Sequence, residues 1–437
     1  MAEQQPSFCP DNAPFEASYL PISDETRSEF DHRTVKFNFH GQRLMFTTAR
    51  TLFAGTGIDA GTALLLRHIQ EVTPPEPLHR ILDVGAGYGP LGVVLHALGP
   101  DRQVVFGDRD ALALDYSRLN FVTNNPDADT QGVNPSRYVG SLGVDSVSAD
   151  ADLFDLVVSN IPGKAGQAAI TNMVRGAAAR ARDGAMVGFV VVAPLTDQVE
   201  GLLSVSPFTE MTTRASKTHT AFTARIQQRS EQLDEQPPKI EGGFAAGDYD
   251  RLQLTFSADK FGWNATTVVG LKEFDSLSHT TALVYDALSG LKRQPLVMAN
   301  PGQGHRAVLA ALSGFDVGCM IDRDLLALQA ADRMLARHVD RQPALIHTAE
   351  VAKAIPDELA EASVVLHTAD KVHTPWLMAE TKRILAGMDK DRAQQLVVAG
   401  KAGPLGLLEA EVVRRRTARV DYKGSYRGFR ALRLVRR

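Results

Sequence analysis

Two tandem doubly wound α/β domains are expected from this sequence, the second a degenerate copy of the first. Three observations predict them. Short β-rich apolar runs alternate with helical stretches, which is the rhythm of a parallel sheet built from βαβ units. One such run, Ile81-Leu82-Asp83-Val84, stops at three closely spaced glycines, Gly85, Gly87 and Gly89. Finally, segments of the first half recur in order in the second: Asp108-Arg109-Asp110-Ala111-Leu112-Ala113-Leu114 matches Asp322-Arg323-Asp324-Leu325-Leu326-Ala327-Leu328, and Thr62-Ala63-Leu64-Leu65 matches Thr281-Ala282-Leu283-Val284.

In the first half the strands are expected at Arg80–Val84, Gln103–Gly107, Asp155–Ser159 and Ala185–Val192. Helices are expected over Gly61–Ile69, with Asp59 as its N-cap, and at Pro90–Leu98, Ala111–Thr123 and Gly166–Ala181. Residues 227–250 are polar and rich in Gln, Pro and Gly, and read as a linker between domains at 1–226 and 251–437.

Composition narrows the class. With 437 residues, 44% hydrophobic and 22% charged, the chain is long enough for two or three soluble cores. A net charge of −4 argues against a protein that coats nucleic acid along its whole length, and leaves room for a local basic patch. Cys9 and Cys319 are far apart and lack metal-ligand neighbours, so neither a disulfide framework nor a metal site is expected. The first residues are polar without an apolar signal core, and the longest apolar run, Ala185–Leu195, is too short to span a bilayer. The expected location is the cytoplasm.

The chemistry concentrates at the ends of the first-half strands. A buried strand ending in a turn without Cβ atoms lets backbone approach a ligand at the mouth of a helix. The spacing Gly-x-Gly-x-Gly, with Asp83 two residues ahead and Pro90 behind, departs from the dinucleotide fingerprint. Asp108 ends the next strand, where a carboxylate can accept both ribose hydroxyls of an adenosine. Asp108 also reads simply as a solvated acid opening a helix. Asn160-Ile161-Pro162-Gly163-Lys164 follows the strand at Asp155–Ser159; taken alone, it reads better as an ordinary strand-to-loop turn.

Together these segments resemble the class I S-adenosylmethionine (SAM) methyltransferases. The glycine turn is similar to their motif I, and Asn160-Ile161-Pro162 is similar to motif IV of the amine methyltransferases, with Gly163 in place of the usual closing aromatic. Phe53-Ala54 and Asp59-x-Gly61-Thr62 resemble the segment that precedes motif I in the methyltransferase small family, which includes the small-subunit ribosomal RNA methyltransferase C type. The resemblance implies SAM as cofactor, with Asp83, Gly85, Gly87 and Gly89 on its methionine side and Asp108 at its ribose. It also implies that Phe53, Asp59, Thr62 and Asn160 line its pocket, while Asn160, Ile161 and Pro162 hold the acceptor amine. RNA is the implied substrate, with guanine N2 of 16S ribosomal RNA or the small ribosomal subunit as target. In the methyltransferase C type the live copy is usually the C-terminal one; here the N-terminal half holds the complete motif set. Two alternatives stand beside this reading: a methyltransferase of a protein or small metabolite, which Gly163 makes credible, and a non-catalytic RNA- or ribosome-binding protein.

In the second half the motif I counterpart, Asn300-Pro301-Gly302-Gln303-Gly304, lacks the leading acid, and Val364–Lys371 lacks the Asn-x-Pro. A fold kept for packing or recognition is expected there. Residues 414–437 carry ten Lys or Arg against one acid, Asp421, interleaved with Tyr422, Tyr426 and Phe429. This composition suits an RNA surface, with Lys164, Arg414, Arg415, Arg416, Lys423, Arg427 and Arg430 as contacts. The stretch Phe429–Val435 reads equally as a sheet strand.

Overall fold

The computed structural model describes residues 18–72, 78–126, 136–144, 153–227, 243–273, 275–368, 373–389 and 393–437. Most of the expected linker, Cys9, the polar first residues and the end of the Val364–Lys371 stretch lie outside them.

Seven strands of the first half form one sheet in the order 136–140, 103–108, 80–84, 154–160, 181–192, 219–226, 208–215. The first five run parallel and the last two form an antiparallel edge. The central strand Arg80–Val84 is apolar because helices cover both faces, and Ile81 and Leu82 are fully buried. The helix Pro90–Ala97 starts where Gly89 adopts a left-handed conformation and Pro90 takes the first turn, where its missing N–H costs nothing. The helix Ala111–Asn124 is capped by Asp110, whose side chain accepts from Leu112 N at 3.1 Å. The expected elements appear within a few residues of their boundaries. A strand at Ser136–Gly140, a helix at Thr196–Leu203 and a hairpin of Asp31–Phe39 with Gln42–Ala49 are additional.

The second half repeats this architecture. A hairpin of Asp250–Ala258 with Phe261–Val268 precedes a helix at His279–Ser289. The sheet then runs 344–347, 317–322, 296–299, 363–367, 396–401, 429–436, 418–426, which is the strand order of the first half. Residues 18–30 cross over: Ser18–Tyr19 adds a parallel strand beside Ala344–His347, and Glu350 accepts from Ser23 N at 2.8 Å and from the Thr26 hydroxyl at 2.7 Å. Phe30 packs on Trp376, with ring centroids 5.9 Å apart.

The halves join through their two Asp-Arg-Asp turns. Ala111 N donates to Arg323 O, and Leu325 N donates to Arg109 O, both at 2.8 Å. Arg109 pairs with Asp324 at 2.8 Å, and Arg323 pairs with Asp110. The His347 imidazole lies 2.9 Å from each of the two arginine carbonyls.

The glycine turn of the second half is filled from within. Sheet register sets Met298 at the position of Asp83, so Arg306 stands where Leu91 does in the first half. Its guanidinium turns back to donate to Asn300 O at 3.3 Å and Pro301 O at 3.1 Å, and it pairs with Glu273 at 2.6 Å. A Cβ on Gly302 would come within 2.7 Å of Arg306 Nη2. Burial works against the Glu273 carboxylate, yet Arg306, with His367 and Ser278 beside it, outweighs burial and holds its pKa down at about 2. His367, in register with Asn160, is driven down to about 3 by burial and is neutral. Breaking this pair strands a buried charge. Arg306→Leu is therefore expected to cost about 3–5 kcal/mol of unfolding free energy by chemical denaturation. Adding Glu273→Gln is expected to recover most of that loss.

Candidate functional site

In the first half the equivalent turn is open. Gly85 N and Ala86 N both donate to Gly107 O, at 2.8 and 3.0 Å, which holds the turn against the neighbouring strand. Gly85, Gly87 and Gly89 have φ of 69°, 61° and 87°. A Cβ on Gly85 or Gly87 would meet no atom within 4 Å, whereas one on Gly89 would lie 3.1 Å from Ser117 Cα. The glycines therefore have different reasons to be there. Gly89 permits the helix at 111–124 to press on the turn, while Gly85 and Gly87 present bare backbone outward. That helix also grips the turn through Ser117 Oγ on Gly87 O at 2.9 Å and Asn120 Nδ2 on Tyr88 O at 2.8 Å.

The two expected carboxylates divide the work. Asp83 is fully buried and faces inward, accepting from Gly92 N at 2.9 Å near the start of the following helix. Burial pushes its pKa up to about 7, the Gly92 N–H pulls the other way, and the Asp108 charge adds to the rise. Asp83 thus braces the turn from behind. Asp108 accepts from Gly87 N and Asp110 N, each at 2.8 Å. Burial first, then the Asp110 carboxylate, push its pKa up to about 6 against those N–H donors. Its oxygens retain lone pairs for hydroxyl donors.

Opposite the turn, residues distant in sequence converge. Asn160 Nδ2 donates to Asp59 Oδ2 and to Thr62 Oγ1, both at 3.0 Å. Asp59 Oδ2 also accepts from Gly61 N at 2.9 Å and Thr62 N at 3.2 Å, capping the helix Ala60–Val72. A carboxylate only accepts, so the amide NH₂ must face it and the Asn160 oxygen must face away. Ile161 is buried and its N–H is held by Val190 O at 3.0 Å, so the strand end that carries Asn160 is fixed. Pro162, Gly163 and Lys164 are exposed.

The loop 50–58 connects the two sides. Tyr88 Oη donates to Gly57 O at 2.9 Å, and Phe53, 72% exposed, projects from the loop. Sequence reasoning missed His219 and Arg323. The His219 ring packs over Gly61, where a Cβ would lie 2.9 Å from its Cδ2. A lone histidine between two threonines gives no signal of that placement. Arg323 reaches the Thr51 hydroxyl at 3.0 Å from the other half of the chain.

Of the C-terminal cations, Lys423 and Arg430 lie in the edge strands 418–426 and 429–436 of the second sheet, Arg427 is in the turn between them, and Arg414, Arg415 and Arg416 stand at the end of the preceding helix Ala402–Arg414 or just beyond it. Arg414 and Arg415 pair with Glu411, while Lys423 and Arg430 pair with Glu409. Arg416 is exposed, and Arg427 lies over the Tyr426 ring at 5.3 Å. Among the described residues no cluster of His, Cys, Asp and Glu could hold a metal ion, and no helix is long and apolar enough to cross a membrane.

This sheet order, with an open glycine turn facing a strand-end acid, defines a class I SAM-dependent methyltransferase. The open space over Gly85 and Gly87 fits the cofactor; the filled turn of the second half does not. Residues 43–215 match the methyltransferase small domain. Among solved structures, its fold is similar to the T. thermophilus 16S rRNA N2 methyltransferase RsmC in complex with AdoMet and guanosine, with TM-score 0.62 at 15% identity over 94% of this chain and 100% of that one. A methyltransferase from Pyrococcus furiosus aligns at 13% identity over 42% of this chain and 90% of that one, with TM-score 0.32. TrmN from Thermus thermophilus aligns at 20% identity over 38% and 48%, with TM-score 0.30.

The geometry of the turn predicts unequal costs for its glycines. Gly87→Ala is expected to cost about 1–2 kcal/mol for left-handed backbone alone. Gly89→Ala is expected to cost about 1–3 kcal/mol beyond that for crowding Ser117, read from urea midpoints.

Proposed function

We propose that this protein methylates an exocyclic amine of RNA, with guanine N2 of 16S ribosomal RNA as the target. The observation that carries the reading is the Asn160 amide, whose NH₂ is bound by Asp59 and Thr62 and whose oxygen is thereby turned outward. An amine donor needs both N–H groups held while its lone pair points at the methyl carbon. The Asn160 side-chain oxygen and the next backbone carbonyl, at Ile161, accept those two hydrogens, and Pro162 fixes the chain so that the carbonyl points outward. SAM supplies an activated methyl group, so this chain's contribution is alignment, and no strong base is needed at Asn160. Asp108 accepts the ribose hydroxyls, Gly85 and Gly87 offer bare backbone to the methionine side, and Asp83 supports the turn from below. The RNA target draws support from the similarity of fold to RsmC along the whole chain and from the exposed cations Lys164, Arg416 and Arg427.

Two observations favour a second reading, a protein or metabolite amine. Gly163 puts no ring beside Asn160, and four of the expected tail cations are paired to glutamates.

Labelled methyl transfer from SAM to small subunits, large subunits and protein fractions, taken from cells lacking this gene, separates the readings. Label in small-subunit RNA, reduced at least about a hundredfold by Asn160→Ala, is the expected result. Label confined to protein or small molecules moves the function to the second reading. No label anywhere leaves a binding protein.

Asp108 gives the reading a pH signature. Its folded pKa lies above that of a free carboxyl, so it favours the fold most in its protonated range, below about pH 4, and that contribution is lost as pH rises through about 6. Binding runs the other way, because the ionised carboxylate accepts from both hydroxyls. SAM affinity measured by calorimetry is expected to be about tenfold weaker at pH 5 than at pH 7, given a pKa of about 6. Asp108→Asn is expected to bind weakly with a flat profile.

A further inference from the structure

Arg323 belongs to the second half, yet its side chain acts on the first. Nε donates to Asp110 Oδ1 at 2.9 Å, Nη2 grips Asp110 Oδ2, and Nη1 donates to the Thr51 hydroxyl at 3.0 Å. Asp110 N–H is one of the two donors that hold Asp108. Thr51 opens the loop that meets the glycine turn at Tyr88 and ends at Asp59, beside Asn160. One planar cation therefore holds two walls of the site at once, the ribose-side acid and the loop that carries Phe53. A fork bound to both carboxylate oxygens fixes orientation as well as distance, which a lysine in its place would not do.

We propose that Arg323 is a positioning residue for the cofactor site, so that the second half sets SAM affinity without touching SAM. This rests on the site assignment given under the proposed function. The symmetry-related residue shows the contrast. Arg109 donates to Asp324 at 2.8 Å and to Gly270 O at 3.1 Å, steadying the corresponding loop of the second half. That loop leads to Glu273, which closes the second turn with Arg306. The same device is present twice, but only the copy at Arg323 serves an open site.

The test uses the full chain, with SAM titrated by calorimetry and amide hydrogen exchange followed over residues 50–58 without ligand. Arg323→Ala is expected to weaken SAM binding about tenfold. It is also expected to speed exchange at Leu52 and Gly57, whose N–H groups bond to Ala49 O and Ala54 O. Thr51→Val leaves the Arg323–Asp110 pair in place; it is expected to weaken SAM binding with no change in melting temperature. Wild-type affinity in both variants overturns the proposal. A loss in Arg323→Ala alone, with exchange over the loop unchanged, also overturns it, because a merely loosened interface gives that result. Asp108→Ala tests the site assignment separately: wild-type affinity there removes the assignment, whatever Arg323 does.

Discussion

A single carboxylate shared between two backbone N–H groups ties the first half together. Asp108 holds Gly87 N on one side and Asp110 N on the other. The first bond fixes the glycine turn and the second fixes the cap of the next helix. The arrangement carries a cost, because burial resists the charge that makes the acid a good acceptor. In the second half the counterpart Asp322 accepts from Asp324 N at 2.9 Å, and among the described residues no glycine of the turn donates to it. There the turn is secured by a guanidinium instead. The two halves have the same strand order and opposite solutions to the same polar problem.

The join between the halves extends that constraint. Backbone bonds pass from Ala111 to Arg323 and from Leu325 to Arg109, directly beside the two acids. Residues 18–30 add a second connection, laying a strand on the far sheet while the Tyr19 hydroxyl donates to Asp115 at 2.8 Å on the near half. Side chains of both halves accordingly share one apolar core. The chain is better described as two sheets meeting at their second strands' ends than as two beads on a linker.

Much of this was legible in the sequence where local chemistry decides. The strand Arg80–Val84 is an apolar run stopped by glycine, and the helix at 90–97 follows from Pro90 after a turn. The residues Asp59, Thr62 and Asn160 were each visible through family resemblance. Their mutual hydrogen bonds were not, because about a hundred residues separate Asn160 from the other two, and only the sheet brings them together. The basic tail shows the reverse error of scale. Its cations are conspicuous in the window 414–437, but the glutamates that pair with four of them sit on the preceding helix, outside or at the edge of that window. The strand Asp31–Phe39 alternates too weakly in polarity to announce itself, since its outer positions are mostly exposed. Arg306 offered no warning either: an arginine two residues past a glycine turn is unremarkable until Glu273 is found beside it.

The Arg306–Glu273 pair also bears on history. A sequence that drifts one substitution at a time cannot easily reopen the second turn, because losing either partner first leaves the other charged and buried. The intermediate is less stable than both the closed and the reopened forms, so selection for a folded protein blocks the path. Closing that turn therefore works as a ratchet. Once the pair is in place, the closed form of the second turn is held by the cost of every single step that leaves it.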